Sequence, residues 1–301
     1  MDEPASPVLA VGGAEAAAIK PVTARQRFVR RFRAQRLVMV MFILLIAVIG
    51  VAIFAPWIAP YDPSTIDPVN RNAGPSADHW LGQDELGRDM LSRLIFGTRI
   101  SMIAAFQAVS LALLLGVPMG LVSGYAGGAI DIVLMRFNDA IMSFPALILA
   151  IAIVGLLGPS LRNAMVAIGI VFAPRFARVV RGATLAVRQE TYVEAARSLG
   201  CGPVFIVRKH ILPNILSPLI VQGTLSLGLA ILQEASLSFL GLGVQPPIAS
   251  WGSILGRSFA YLHQNPLNII TPGVCIMLVV LALNVVGDGL RDAFGRERRK
   301  G

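Results

Sequence analysis

Glu194-Ala195-Ala196-Arg197-Ser198-Leu199-Gly200, followed after a gap by Leu212-Pro213, is the stretch around which the rest of the chain is organised. It lies in a basic, polar segment between two strongly apolar ones. Residues 190–199 are good helix formers, and Gly200 is placed to stop that helix. Gly202-Pro203 opens a new helical turn, and residues 204–212 continue as a helix into which Pro213 and Pro218 mark the way to the next apolar run. The local reading is helix, glycine turn, helix. Ala195 and Ala196 are small enough for a partner surface to come close, and Gly200 permits a sharp turn. Local physics leaves two readings open: an ordinary loop with a capped helix, or a hairpin offered to a soluble partner.

Composition sets the surroundings of that hairpin. Of 301 residues 55% are hydrophobic and only 14% are charged, and the mean hydropathy is +0.70. A soluble domain of this size needs far more polar surface, so the chain reads as an all-α, polytopic integral membrane protein. The net charge is +9, carried mostly by arginine. The arginines flank apolar runs instead of forming one patch, which argues against nucleic acid as a partner. Cys201 and Cys275 fall in the polar loop and in an apolar run, so no structural disulfide is expected.

Residues 1–24 are rich in Ala, Pro and Gly, and 1–36 as a whole is expected to be a disordered, basic cytoplasmic tail ending in Arg25, Arg27, Arg30, Arg31, Arg33 and Arg36. The uncharged run 37–55 is long enough, at about 1.5 Å per residue, to cross a hydrocarbon core of roughly 30 Å. Pro56 and Trp57 are expected to close it. It reads as a span and not as a cleaved signal, because it is too long and ends in no small-residue site. Further spans are expected at 100–122, 140–157, 164–180, 215–232 and 269–286. Arg175 and Arg178 interrupt the fourth, where long stems can snorkel. Pro145, Pro174 and Pro272 are expected to kink their helices.

Six spans put both termini on one side. The positive-inside rule then places them in the cytoplasm, because only Arg71, Arg88, Arg93, Arg99, Arg162 and Arg257 of the 26 basic residues remain for the outer segments. The domain reading is a tail to 36, a first span 37–55, an outer loop 56–99, a five-span core 100–290 carrying the polar loop 188–213, and a tail 291–301. No internal repeat is evident. Residues 84–99 read as an amphipathic helix, with Leu86, Met90, Leu91, Leu94 and Ile95 at helical spacing and Arg88, Asp89, Ser92, Arg93 and Arg99 elsewhere. Such a helix would lie on the outer membrane face or pack under a gate.

Asp139, Gln222 and Glu234 lie in or at the ends of spans, as does Asn284. An ionisable group there is a candidate for the pathway or its gate because it is expensive in lipid. For Glu234 the competing reading is an interhelical hydrogen bond. No catalytic motif is present. No lysine follows glycine, so there is no phosphate-cradling loop, and none of His79, His210 and His263 is followed by Glu, so there is no H-E-x-x-H site. No catalytic residue and no metal site are expected, and the chain is not expected to hydrolyse ATP alone.

Glu194, Ala195, Ala196, Gly200, Leu212 and Pro213 match in spacing the EAA loop of permease subunits of bacterial ABC importers; His210 departs from the family's Ile. Three other segments resemble the dipeptide, oligopeptide and glutathione branch. They are Leu81-Gly82-Gln83-Asp84-Glu85-Leu86-Gly87-Arg88-Asp89, Ser238-Phe239-Leu240-Gly241-Leu242-Gly243 with Ser250-Trp251-Gly252, and Gly287-Asp288-Gly289-Leu290-Arg291-Asp292-Ala293. Together they resemble the C-type member of a permease pair with a type I importer fold in the bacterial inner membrane. The resemblance implies a sister permease, two ATPases that bind ATP and Mg, an extracytoplasmic binding protein, a peptide cargo, and membrane lipid around the spans. It makes Glu194, Ala195, Ala196, Arg197, Gly200, Cys201, Leu212 and Pro213 the ATPase-coupling residues. It leaves no cofactor in this chain itself. The nearest rival is the same machine with glutathione or a chelated metal as cargo. A secondary transporter working alone would favour broken-helix repeats, and an intramembrane enzyme would need motifs this chain lacks.

Overall fold

A computed structural model describes residues 24–295, and among them the regular structure is helical. Five helices are long and apolar enough to cross a membrane, and a bent pair makes a sixth candidate span. They are α2 (Arg36–Ile58), α3 (Met90–Ala126), the pair α4 (Gly128–Met142) and α5 (Ala146–Leu157), α6 (Leu161–Arg188), α9 (Leu212–Phe239) and α11 (Leu267–Gly295). Shorter elements are α1 (Ala24–Ala34), α7 (Thr191–Ser198), α8 (Pro203–Ile206) and α10 (Trp251–Ser258). One hydrophobic core of buried residues from α3, α5, α6, α9, α10 and α11 runs through the bundle. A smaller one sits beneath the hairpin.

The closest helix pair is α3 with α6. Gly116, Gly120 and Gly124 recur every four residues and so share one face of α3. A Cβ on Gly116 would meet the Ala173 carbonyl, one on Gly120 the Ala177 carbonyl, and one on Gly124 the Thr184 side chain and Arg181 carbonyl. Small residues at this spacing let the two backbones meet, which is how apolar helices associate where lipid offers no hydrophobic driving force. Polar clamps finish the contact. Arg181 of α6 grips Asp131 of α4 through both nitrogens at 2.6 Å, and Ser123 of α3 hydrogen-bonds the same carboxylate. Arg188 donates to the Tyr125 carbonyl at 2.8 Å, satisfying an orphan acceptor at the end of α3.

Several expected boundaries move. Pro56 does not end the first span, since α2 runs on to Ile58. Only the first turn of a helix can accept proline without losing a hydrogen bond, and a loss near the last turn is tolerated here. The third span is not one helix: α4 and α5 are bent by 89° about residues 143–145. Pro145 lacks an N–H and caps α5 from outside, so the apolar run 140–157 hides a break. Pro174 and Pro272 lie inside α6 and α11, which continue through them. Pro213 and Pro218 do not separate loop from span either. A π turn at Val207–Ile211 joins α8 to α9, with the Leu212 N–H bonded to the Val207 carbonyl five residues back. That longer register absorbs the donor missing at Pro213.

The segment 84–99 is not a surface helix. The helix begins only at Met90, with Asp89 as its N-cap accepting from the Ser92 N–H at 2.7 Å. Residues 82–89 form a tight turn, and Asp84, Arg88, Asp89, Ser92 and Arg93 are buried. At the other end of the chain α11 extends through Gly295, into the expected tail. The expected tail 1–36 is helical from Ala24 to Ala34, and the reading of disorder for residues 1–23 lies outside the described residues.

Candidate partner-docking site

The hairpin stands at the end of the bundle where α3 and α6 finish and α9 begins. Its inner side is apolar: Val193 and Ala196 of α7 pack with Ile206, Ile211 and Ile215 and with Val180 and Val187 of α6. The turn out of α7 is closed by two bonds, Gly200 N–H to the Arg197 carbonyl at 3.0 Å and Cys201 N–H to the Ala196 carbonyl at 3.1 Å. This six-to-one and five-to-two pairing requires a left-handed residue between them. Gly200 supplies it with φ +79°. A Cβ there would meet no atom of this chain within 4 Å, so the open space lies on the outer side. Gly202 then extends the chain and Pro203 starts α8.

What the hairpin shows outward is also apolar. Leu199 is 84% exposed at the tip, with Val204, Phe205 and Tyr192 exposed beside it. Glu194, Ala195, Arg197, Arg208 and Lys209 surround them in the open. His210 sits between the rings of Tyr192 and Phe205, 5.9 Å from each, so it ties the two arms together. Large apolar side chains at a polar end of a membrane protein mark a surface awaiting a partner. Two sequence readings change in detail. Ala196 faces inward and is not available to a partner; Ala195 is. Cys201, expected among the coupling residues, is half-buried against the core below. Leu212 is half-buried, and Pro213 is exposed at the start of α9. Leu199, absent from the expected site, is the most prominent residue of the hairpin. Its large side chain immediately before the turn glycine was the available signal.

Residues 116–300 match the family of binding-protein-dependent transport system inner membrane components. Residues 23–75 match the N-terminal transmembrane domain of oligopeptide transport permease C. The chain is 45% identical over 264 residues to the dipeptide transport system permease protein DppC of Alkalihalophilus pseudofirmus, covering 88% of this chain and 87% of that one. It is 44% identical over 279 residues to the glutathione transport system permease protein GsiD of Escherichia coli, covering 91% and 92%. The chain belongs to the ABC importer permease family. An inward-facing structure of the MetNI methionine ABC transporter shares the fold, with a TM-score of 0.58 at 23% identity over 68% of this chain and 97% of that chain. The permease is therefore a multi-pass protein of the bacterial cytoplasmic membrane.

The polar groups within the spans of this permease are not gathered into one site. Glu234 is fully buried at the end of the bundle away from the hairpin. Ser238 donates to its Oε1 at 2.7 Å and Ser101 of α3 to its Oε2 at 3.2 Å. Ser101 in turn accepts from the Trp251 N–H at 3.2 Å. Glu234 thus joins α3 to α9 and, through Ser101, to α10, the interhelical role that competed with a pathway role. Gln222 donates to Ser226 at 3.1 Å on its own helix. Asp139 pairs with Arg178 at 2.9 Å, both side chains being 54% exposed. An ion pair on an exposed face of a span needs water or a polar partner beside it, since lipid would not solvate it.

Sequence reading missed the knot at the end opposite the hairpin. Asp84 Oδ2 lies 2.7 Å from Arg88 Nε and 3.0 Å from Arg93 Nε. Its Oδ1 accepts from the N–H groups of Leu86 and Arg88. Arg93 also donates to the Pro63 carbonyl at 3.2 Å, and Asn268 of α11 donates to the Gln83 carbonyl at 3.0 Å.

Proposed function

We propose that this permease is one of two membrane subunits of an ATP-driven importer and forms half of the path by which short peptides cross the membrane. The observation that carries the reading is the hairpin, with its rigid buried inner face and apolar exposed tip. Such a tip fits a groove on a separate ATPase. Both termini and the hairpin face the cytoplasm, where the arginines concentrate. Two ATPase subunits bind ATP and Mg, a sister permease completes the path, and an extracytoplasmic binding protein delivers cargo. Closure of the ATPase pair carries the hairpins with it and so biases a bundle with two arrangements. Asp139, paired with Arg178 on an exposed face, lines the path; Gln222 lies beside it, and Glu234 holds the outer helices together.

Peptide cargo is supported by the relatives named for dipeptide and glutathione transport. The same machine carrying glutathione or a metal chelate is the nearest alternative. A transporter working alone would have no use for an exposed apolar tip on a capped turn. The test is co-purification of the full tagged chain from its native membrane. ATPase subunits should accompany it, and the chain stripped of them should turn over no ATP. Turnover by the stripped chain, or its purification alone under mild detergent, would sink the subunit reading. Cargo is decided by binding of di- and tripeptides to the associated binding protein.

A further inference from the structure

We propose that α1 and the start of α2 form a docking site for the headgroups of anionic phospholipids. The α1 sequence carries Arg25, Arg27, Arg30, Arg31 and Arg33 with no acidic residue, and Arg36 follows at the start of α2. The helix does not project freely. Phe28 lies 4.7 Å from the Phe294 ring of α11 and 6.2 Å from Phe32, and Phe32 meets Phe42 of α2 edge-on at 5.7 Å. Phe42 is well inside the apolar run of α2. The aromatic clamp therefore holds α1 against the rim of the spans, at the level where lipid headgroups lie.

Four of these arginines, Arg30, Arg31, Arg33 and Arg36, are described with their side chains. Arg30, Arg33 and Arg36 are exposed, and none of them forms an ion pair among the described residues. Arg31 is half-buried, and its Nη1 is shielded from water with no acceptor. A guanidinium has only donors, and leaving one shielded and unmatched is costly. A phosphodiester supplies both the opposite charge and paired acceptor oxygens. An acidic protein surface has the same charge, but α1 lies against an apolar span whose neighbour is lipid. Basic clusters beside a span are attracted to anionic leaflets by this electrostatic term.

The test uses the full chain in phosphatidylcholine nanodiscs containing a minority of phosphatidylglycerol, with retained lipids counted by native mass spectrometry. The wild-type chain should retain phosphatidylglycerol preferentially. The combined Arg30→Gln, Arg31→Gln and Arg33→Gln variant should lower that preference about fivefold or more. Phe28→Ala keeps every arginine, and hence the orientation, but loosens the clamp; it should lower the preference about twofold. A combined Arg71→Gln, Arg162→Gln and Arg257→Gln variant removes equal charge from the segments expected on the outer side and should change little. Unchanged retention in both α1 variants would overturn the site. So would an equal loss in the outer-segment variant, which would mean that net charge alone attracts the lipid. Unchanged lipid together with lost ATPase co-purification would assign the arginines to a protein partner instead, and the lipid site would fail.

Discussion

The two ends of this permease are built on opposite plans. The hairpin end is held by apolar packing under Val193, Ala196 and Ile211 and displays Leu199, Val204 and Phe205 outward. The opposite end buries charge. Asp84, Arg88 and Arg93 close a tight turn, and Glu234 with Ser101 and Ser238 joins α3 to α9, while Ser101 also holds the Trp251 N–H of α10. Apolar packing is non-directional and can be shared with a visitor. A buried ion cluster is satisfied by particular partners and tolerates little rearrangement. On the proposed reading, the difference separates a surface suited to an exchangeable partner from a frame that stays put while the bundle moves.

The largest effect is expected from breaking the frame. Asp84→Ala removes the carboxylate between two buried guanidiniums, leaving Arg88 only Glu85 at 2.9 Å and Arg93 only the Pro63 carbonyl at 3.2 Å. Loss of one member of a buried charge cluster costs about 3–5 kcal/mol. The thermal midpoint of the detergent-solubilised chain should fall steeply, with loss of folded yield. An unchanged midpoint would mean that the turn is held by its backbone bonds alone. Gly120→Leu comes next. It drives a side chain into the Ala177 carbonyl and Val180, and overpacking of this kind costs about 1–3 kcal/mol. Cysteine pairs engineered across α3 and α6 should crosslink less in the variant; equal crosslinking would show that the helices need no close approach.

Glu234→Gln and Glu234→Leu sharpen the comparison within the frame. Glutamine keeps hydrogen bonds to Ser101 and Ser238, so it should be close to neutral. Leucine strands buried hydroxyls, at about 1–3 kcal/mol. If both variants fold normally and both lose transport, Glu234 acts in the pathway and not as a joint.

The spans and the hairpin were legible because their signals are local. An uncharged run shows in the sequence directly, and a helix followed by Gly200 and then Gly202-Pro203 has few other solutions. The knot was not legible as such, because charges spaced along 84–99 look like the wet face of a helix. Only the tertiary fold reveals that Asp84 bridges Arg88 and Arg93 away from water, with Glu85 as the second acid on Arg88. The break at 143–145 was hidden for the opposite reason. Hydropathy is continuous across it, and Pro145 alone does not distinguish a kink from an 89° turn. The glycine ladder 116, 120, 124 is plain in the sequence, but its meaning depends on α6 lying opposite. At the docking site the sequence identified the turn and misjudged which residues face out. Ala196 and Cys201 face the core, and Leu199 faces outward.

The smallest effect on stability should come from the hairpin, where the functional effect should be complete. Gly200→Val forces a β-branched residue to φ +79°, which costs about 1–2 kcal/mol locally. The added side chain meets nothing within 4 Å in this chain, so any further loss belongs to the partner. Leu199→Asp removes even the strain. Leu199 is 84% exposed, and its replacement should leave the unfolding free energy within about 0.5 kcal/mol of wild type. A charge placed at the centre of an apolar contact is nevertheless unpaired and desolvated on docking, and hot-spot losses of about 2 kcal/mol or more follow. ATPase subunits should then wash off the Leu199→Asp permease, and cargo uptake should stop, while the chain still inserts and folds. The half-buried Cys201 thiol should label at the same rate in the stripped wild-type and variant chains. Rebinding the ATPase should slow labelling in the wild type only. Full uptake by Leu199→Asp would place the docking surface elsewhere on this end of the bundle, and the exposed tip would lose its meaning.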